Sequence, residues 1–322
     1  MKILIASSIY PDTIAELSLR HDVICAFGAD EATLKRQIAG CEALIFRSGV
    51  QITADVMQAS PGLGLIMRAG SGIDNIDLNY VYENRIKLVR IPGPGAKAVA
   101  EMSFGLMLAL ARNILTADKL LRQGHWAKHE LTGHLLQGKA LGIVGAGNIG
   151  TRVGRLGTAW GMEVLGCVEF PSAEAAARLS RYGIRLVPTE EVIAKSDFVS
   201  LHVPLKESTR NLINAEYLAR MKPGAFLINL ARGGVVDESA LYDALCRGHL
   251  AGAALDVHKY EGEGKISPLA GLDNVILTPH MGAGAIDSQR EIGEIILENI
   301  DAYLTESAEG EMTFDLEMTV AV

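Results

Sequence analysis

Short apolar runs alternate with helically spaced stretches through the first third of the chain. "KILIAS" (2–7), "DVICAFG" (22–28), "EALIFRS" (42–48) and "IKLVRIPG" (86–93) have the length and density of buried strands. "LGLIMRAGSGIDNID" (63–77) reads as a further strand entering a glycine-rich turn. Between them, "TIAELSLR" (13–20) and "DEATLKRQIAG" (30–40) have helical spacing, the second behind an acidic cap. Strands alternating with helices predict a parallel sheet covered on both faces. From 96 to 126 apolar residues occupy nearly every helical face, which predicts one long helix buried between domains or subunits. A second alternating series runs from Lys139 to about Pro279, and "REIGEIILENIDAYLTE" (290–306) predicts an amphipathic helix. The tail to Val322 has no clear pattern.

The expected class is therefore α/β, with two units separated by the long helix. A chain of 322 residues is too long for one simple core and suits two domains. If the last helix returns to the first unit, that domain is discontinuous: residues 1–97 with 286–322, against 98–285. Hydrophobic content of 49% with 21% charged residues reads as globular. A net charge of −8 argues against nonspecific nucleic-acid binding, since the phosphate backbone would be repelled. It leaves room for a local basic pocket. No secretory pattern opens the chain, and no run approaches a membrane span. Cys25, Cys41, Cys167 and Cys246 are scattered without ligand spacing, so buried reduced thiols, no metal site and a cytoplasmic location are expected.

The strongest local motif is Gly145-x-Gly147-x-x-Gly150 in "LGIVGAGNIG" (141–150). With 34 glycines in the chain a lone match is weak, but the flanks are right. An apolar strand (140–144) precedes it, a helix (151–160) follows, and then a second strand (163–168). In such a unit the first glycine makes a tight turn and the second lets backbone approach a pyrophosphate. The third permits close helix–strand contact. Free N–H groups at the helix start favour the phosphates. An acid should then receive the ribose hydroxyls. The usual position falls on Val168 and the acid comes one residue later, at Glu169, which either reaches the ribose through a register change or is solvated. No Lys or Arg lies between Val168 and Ala177, so NAD is expected over NADP.

"FLINLARGGVVDESAL" (226–241) ends a buried strand with a permanent cation, Arg232, followed by two glycines. Ligands of open α/β sheets bind beyond the strand carboxyl ends, where a guanidinium can hold a carboxylate by two parallel hydrogen bonds. Two later strands end at Asp256, with Glu261 beyond it, and at Thr278-Pro279-His280. A cation, carboxylates and an imidazole at one sheet edge beside a dinucleotide are what hydride transfer to a 2-oxo acid requires.

Taken together, "RAGSGIDNIDL" (68–78), "AVAEMSFGLMLALARNI" (98–114), "GIVGAGNIG" (142–150), "LHVPLKESTRNLI" (201–213), "INLARGGVVDESAL" (228–241), "ALDV" (254–257) and "NVILTPHMGA" (274–283) resemble the D-isomer-specific 2-hydroxyacid dehydrogenase family in order and content. The resemblance implies two Rossmann-like domains with the active site in the cleft between them, and domain closure that excludes water. It implies Arg232 for the substrate, His280 as acid/base and Glu261 as partner of the histidine. Cofactor contacts are then expected at Gly145, Gly147, Asn148, Ile149 and Gly150, at Glu169, and at Val203, Pro204, Leu230, Ala231, Arg232, Asp256, His280 and Gly282. For the substrate, the backbone of Gly70, Ser71 and Gly72 stands as a carboxylate cradle beside Arg232 and His280. Arg47 and Ser48 resemble the stretch that serves the substrate phosphate in phosphoglycerate dehydrogenases, or are a surface Arg with a helix-capping Ser.

The implied reaction interconverts a D-2-hydroxy acid and a 2-oxo acid with NAD. Arg47 and Ser48 lean towards 3-phosphoglycerate, with glycerate/hydroxypyruvate or D-lactate/pyruvate open; a non-catalytic NAD-sensing corepressor is the rival class. The long helix suggests a homodimer. Departures from the family pattern are Gly262 where proline is usual and Gly95 where asparagine is common. Nothing after His280 is long enough for the regulatory domain of some phosphoglycerate dehydrogenases. His125, Trp126 and His202 read as packing residues.

Overall fold

A computed structural model describes residues 1–309 and the backbone of 319–320. The patternless tail lies mostly outside the described residues. The chain divides into two compact units, Met1–Ala96 with Ala283–Val322, and Lys97–Gly282.

The first unit alternates β1 (Lys2–Ile5), α1 (Pro11–Arg20), β2 (Asp22–Cys25), α2 (Glu31–Gln37), β3 (Ala43–Phe46), α3 (Ala54–Gln58), β4 (Leu65–Arg68), α4 (Leu78–Glu83) and β5 (Lys87–Arg90). β3 and β4 are buried along their whole length, as strands covered on both faces must be. α2, α3 and α4 begin where a short polar side chain, Asp30, Thr53 or Asp77, accepts a free first-turn N–H; α1 begins at Pro11 without a side-chain cap. All pairings are parallel, in the order β5-β4-β3-β1-β2. The chain reverses its direction of travel across the sheet at β1.

The second unit opens with α5 (Gly93–Ala111), whose first turn belongs to the first unit, and α6 (Ile114–Arg122). The long helix expected over 96–126 is thus two, bent by 62°. Asn113 adopts left-handed backbone at φ 52°, a standard helix stop. The returning strand of chain seals the break: His134 donates to the Ala111 carbonyl at 2.7 Å, and the Asn113 amide donates to the Thr132 carbonyl at 3.3 Å. The Ala111 carbonyl at the end of α5 is thus satisfied from outside the helix.

Then follow β6 (Ala140–Val144), α7 (Asn148–Ala159), β7 (Glu163–Cys167), α8 (Ala173–Ser180), β8 (Ile184–Leu186), α9 (Thr189–Lys195), β9 (Phe198–Leu201), α10 (Ala215–Arg220), β10 (Ala225–Asn229), α11 (Glu238–Cys246), β11 (Leu250–Leu255) and β12 (Val275–Leu277). The parallel order is β12-β11-β10-β9-β6-β7-β8. β6 is the reversal strand, so the glycine loop that follows it opens at the carboxyl edge where neighbouring crossovers diverge. Phe198 and Phe226 stack at 4.9 Å between centroids under this sheet.

The last helix, α12 (Ile286–Glu309), is longer than the 290–306 expected. It returns to the first unit, where Ile292, Ile295, Ile296, Ile300 and Tyr303 join the core face of Ile3, Ile5, Ile45 and Val89. A two-residue strand, β13 (Thr319–Val320), pairs with β5. The cysteines are all free, but only Cys41 and Cys167 are buried; Cys25 and Cys246 are exposed, against the expectation of four buried thiols.

Candidate active site

The three glycines of the loop after β6 do three different things. Gly145 has φ 93°, and a Cβ there would meet the His202 carbonyl at 2.7 Å. A Cβ on Gly150 would strike the Gly145 carbonyl and Ile143, so this glycine lets α7 lie on β6. Gly147 is the opposite case: a Cβ would meet nothing within 4 Å. It is the N-cap of α7 and offers no side-chain cap, so the helix start at Gly147 is open on this side. That space continues into a cavity of about 390 Å³ lined by Gly145, Gly147, Val168, Glu169, His202, Val203 and Pro204. These residues fit a dinucleotide, with its phosphates on the loop.

Glu169 is not simply solvated. Its carboxylate accepts from Lys206 Nζ at 2.8 and 3.2 Å. Arg178, in α8, lines the same cavity. Residues 168–177 bring no cation, as the sequence shows, but Lys206 and Arg178 bring two from later segments. His202 bonds Ser200 Oγ through Nε2 at 2.8 Å, while its buried Nδ1 has no partner among the described residues. Desolvation pushes its pKa down to about 3, so the ring is neutral.

β10 ends at Asn229, two residues short of the predicted Ala231, and Leu230 and Ala231 form a buried step to Arg232. Asn229 is fully buried and holds this step: its amide donates to the Arg232 carbonyl and its oxygen accepts from Ala231 N, both at 3.0 Å. Arg232 itself donates to the Ala231 carbonyl at 2.8 Å. A Cβ on Gly233 would collide with the His258 peptide, so glycine is required where the Arg232 turn crosses the loop after β11.

That loop and the next hold the acid and the imidazole. His280 Nδ1 lies 2.8 Å from Glu261 Oε2, and Glu261 Oε1 accepts from His258 N at 3.1 Å. Burial pulls the Glu261 pKa up, but the hydrogen bond and charge of His280 and the His258 N–H outweigh it. The net position is below the ordinary carboxylate value. With Nδ1 engaged, Nε2 is the ring atom available for proton exchange. The pair borders a cavity of about 580 Å³ shared with His258, Tyr260, Lys265 and Ile266.

Asp256 is buried to 1% exposure, and both its oxygens are already committed. Thr278 Oγ1 donates to Oδ1 at 2.6 Å, Met281 N to Oδ1 at 2.9 Å and Gly282 N to Oδ2 at 2.7 Å. Its carbonyl accepts from His280 N at 2.8 Å. Asp256, expected beside the cofactor, also clamps the histidine turn. The clamp holds His280 at φ 52°, an uncommon conformation for a side-chain-bearing residue.

In the first unit, Arg47 follows β3 directly. Ser7 Oγ accepts from Arg47 N at 3.0 Å, and the guanidinium donates to the Ala283 carbonyl at 3.5 Å. Burial lowers its pKa from the ordinary guanidinium value. Ser48 is exposed and caps nothing; the cap of α3 is Thr53. Of the expected cradle, the Gly70 N–H is already used on the Arg68 carbonyl at 2.7 Å, and Ser71 is exposed. Arg68, 4% exposed, lies beneath this turn and over the Phe46 ring at 5.7 Å. His125 pairs with Glu130 at 3.2 Å and Trp126 is 76% exposed, so within this chain neither is packed.

Sequence reasoning passed over Asn229, Thr278 and Lys206. The first two carry a readable signal, a polar residue at the end of an apolar strand. Lys206 carries none.

Residues 104–282 match the family model described as the D-isomer specific 2-hydroxyacid dehydrogenase NAD binding domain. The chain is 40% identical over 305 residues to the D-3-phosphoglycerate dehydrogenase of Methanocaldococcus jannaschii, covering 94% of this chain and 57% of that protein. It is 41% identical over 269 residues to the hydroxypyruvate reductase of Thermotoga maritima, covering 83% and 86%. The D-lactate dehydrogenase of Aquifex aeolicus, solved with NAD and lactic acid, superposes with a TM-score of 0.83 at 28% identity over 100% of both chains. The chain thus spans little more than half the length of the Methanocaldococcus relative.

Proposed function

Because this chain belongs to the D-isomer-specific 2-hydroxyacid dehydrogenase family, we propose that it interconverts a D-2-hydroxy acid and its 2-oxo acid with NAD. The observation that carries this reading is the 2.8 Å contact between His280 Nδ1 and Glu261 at the carboxyl edge that also bears Arg232. Bound NAD supplies the hydride acceptor and donor. In the reducing direction His280 Nε2 gives its proton to the carbonyl oxygen, and in the oxidising direction the neutral ring takes the hydroxyl proton. Glu261 fixes the tautomer and stabilises the imidazolium, while Arg232 binds the carboxylate. The alternative of a non-catalytic sensor leaves this acid–imidazole pair without a task.

For the substrate, we infer a phosphorylated three-carbon acid of the 3-phosphoglycerate type. The half-buried Arg47 at the end of β3 supports this, as does the likeness to phosphoglycerate dehydrogenases. Hydroxypyruvate is the second reading, favoured by the match over 86% of the Thermotoga reductase. NADH oxidation with phosphohydroxypyruvate, hydroxypyruvate and pyruvate tests both. Arg47→Ala is expected to lower kcat/KM at least about tenfold for the phosphorylated acid alone, the worth of one charge-assisted bond. Equal loss on all three acids would overturn the phosphate role.

We further propose a homodimer. α6 has no buried residue, and Ile114, Leu115 and Leu121 are each more than half exposed, an apolar face suited to a second copy. Four free thiols, two of them exposed, support a reducing compartment such as the cytoplasm.

A further inference from the structure

The cavity beside the glycine loop ends in an unusual charge cluster. β7 stops at Cys167 and is followed by the aliphatic Val168, so no acid stands on the strand end itself. The next residue, Glu169, lines the cavity with Arg178. Glu169 is held by Lys206, and both side chains are about half exposed, at 51% and 49%. Arg178 is held loosely: its guanidinium donates to the Ala146 carbonyl and to Thr151 Oγ1, each at 3.4 Å, the long limit for such bonds. The Lys206 backbone is firmer, its N–H donating to Thr209 Oγ1 at 2.8 Å.

We propose that this cluster accepts the 2′-phosphate of NADP as well as the ribose diol of NAD, and that Glu169 sets the balance. The inference rests on the dinucleotide site and is independent of which acid is the substrate. With the diol, Glu169 accepts hydroxyl hydrogens and keeps Lys206. With a 2′-phosphate, Lys206 leaves Glu169 for the dianion and Arg178 exchanges two long bonds for a charge-assisted one. A half-exposed ion pair contributes little, so the exchange meets little resistance. An acid on the strand end, with no cation in reach, would exclude the phosphate by repulsion. Here Glu169 is the one carboxylate among the described residues lining the cavity, its oxygens already accept from Lys206, and Arg178 lines the same cavity.

Calorimetric titration of the full chain with NADH and with NADPH, without any acid substrate, tests this. The reading is the ratio of the two dissociation constants. Glu169→Gln removes the repelling charge and frees Lys206, and is expected to shift the ratio towards NADPH by about fivefold or more. Lys206→Met is expected to shift it the other way by a similar factor. A smaller shift in Glu169→Gln overturns the proposal, as does an unchanged ratio in Lys206→Met. Failure of the wild-type chain to bind either nucleotide would overturn it together with the dinucleotide site. Arg178→Lys, which keeps the charge, is expected to retain NADPH binding, and Arg178→Met to lose it relative to NADH. Equal behaviour of these two would remove Arg178 from the site.

Discussion

His280 shows how much support one proton-transferring ring requires. Its left-handed backbone is unfavourable, and four hydrogen bonds that Asp256 accepts from the surrounding turn hold it there. Glu261 then fixes one ring nitrogen. Replacing His280 with Asn should lower kcat by about 10²–10⁴, and Glu261→Gln, which leaves the ring tautomer unfixed, should lower kcat as well. Arg232→Ala should lose about 1.5–3 kcal/mol of charge-assisted binding, read as a fall in kcat/KM, and unchanged kinetics would move the carboxylate elsewhere. His202 predicts a stability effect. Its pKa is about 3 in the fold against 6.5 for the free ring, so the unfolded chain binds more protons between those values. Stability is therefore present above pH 6.5 and lost as pH falls towards 3. In denaturant melts, His202→Gln should flatten that part of the pH dependence; an unaltered slope would assign it to other groups. Arg232 and His280 were legible in the sequence because each follows closely on a strand, and Glu261 through the family resemblance. Their braces were not, since Asp256 and Thr278 look alike as strand-end polar residues until their partners are known.

Among the elements, the β6–α7 turn is where sequence and structure agree most closely, because its spacing is imposed by local geometry. The two inner glycines differ in a testable way. Gly147→Ala adds a methyl to open space at φ −82°, and should keep the melting temperature while losing NADH affinity. Gly150→Ala drives a methyl into the Gly145 carbonyl and should cost stability directly, on the order of 1–3 kcal/mol as overpacking does. Thermal melts with and without NADH separate the two; equal destabilisation would reject the division of roles. The 96–126 segment shows the reverse. Its apolar residues continue past the point where the helix ends, and the stop is set by Asn113 and by bonds from residues 132 and 134. An asparagine in "ARNIL" was a visible hint, but its left-handed backbone is decided by contacts some twenty residues away.

The assembled molecule repeats one plan twice, a parallel sheet whose strand order reverses at its first strand, and the reactive groups described here gather at the carboxyl edge of the second sheet. The exposed apolar side chains of α6 carry the prediction of a dimer. Sedimentation should give about twice the 34.4 kDa chain mass, and Leu121→Asp should halve it without unfolding the protein, because Leu121 is 58% exposed. A wild-type monomer at micromolar concentration would refute the dimer.

Alternation of apolar runs, glycine spacing and charged residues at strand ends are local quantities, set by backbone sterics, helix and strand periodicity and turn geometry. They were enough to establish two α/β units and the dinucleotide loop, while the acid–imidazole pairing was implied by the family resemblance. What separates Glu169 from a solvated side chain is an amine 37 residues later. What makes Asp256 a clamp is a turn more than twenty residues further on. Such pairings depend on which strands lie side by side and where loops cross, and no local preference encodes them.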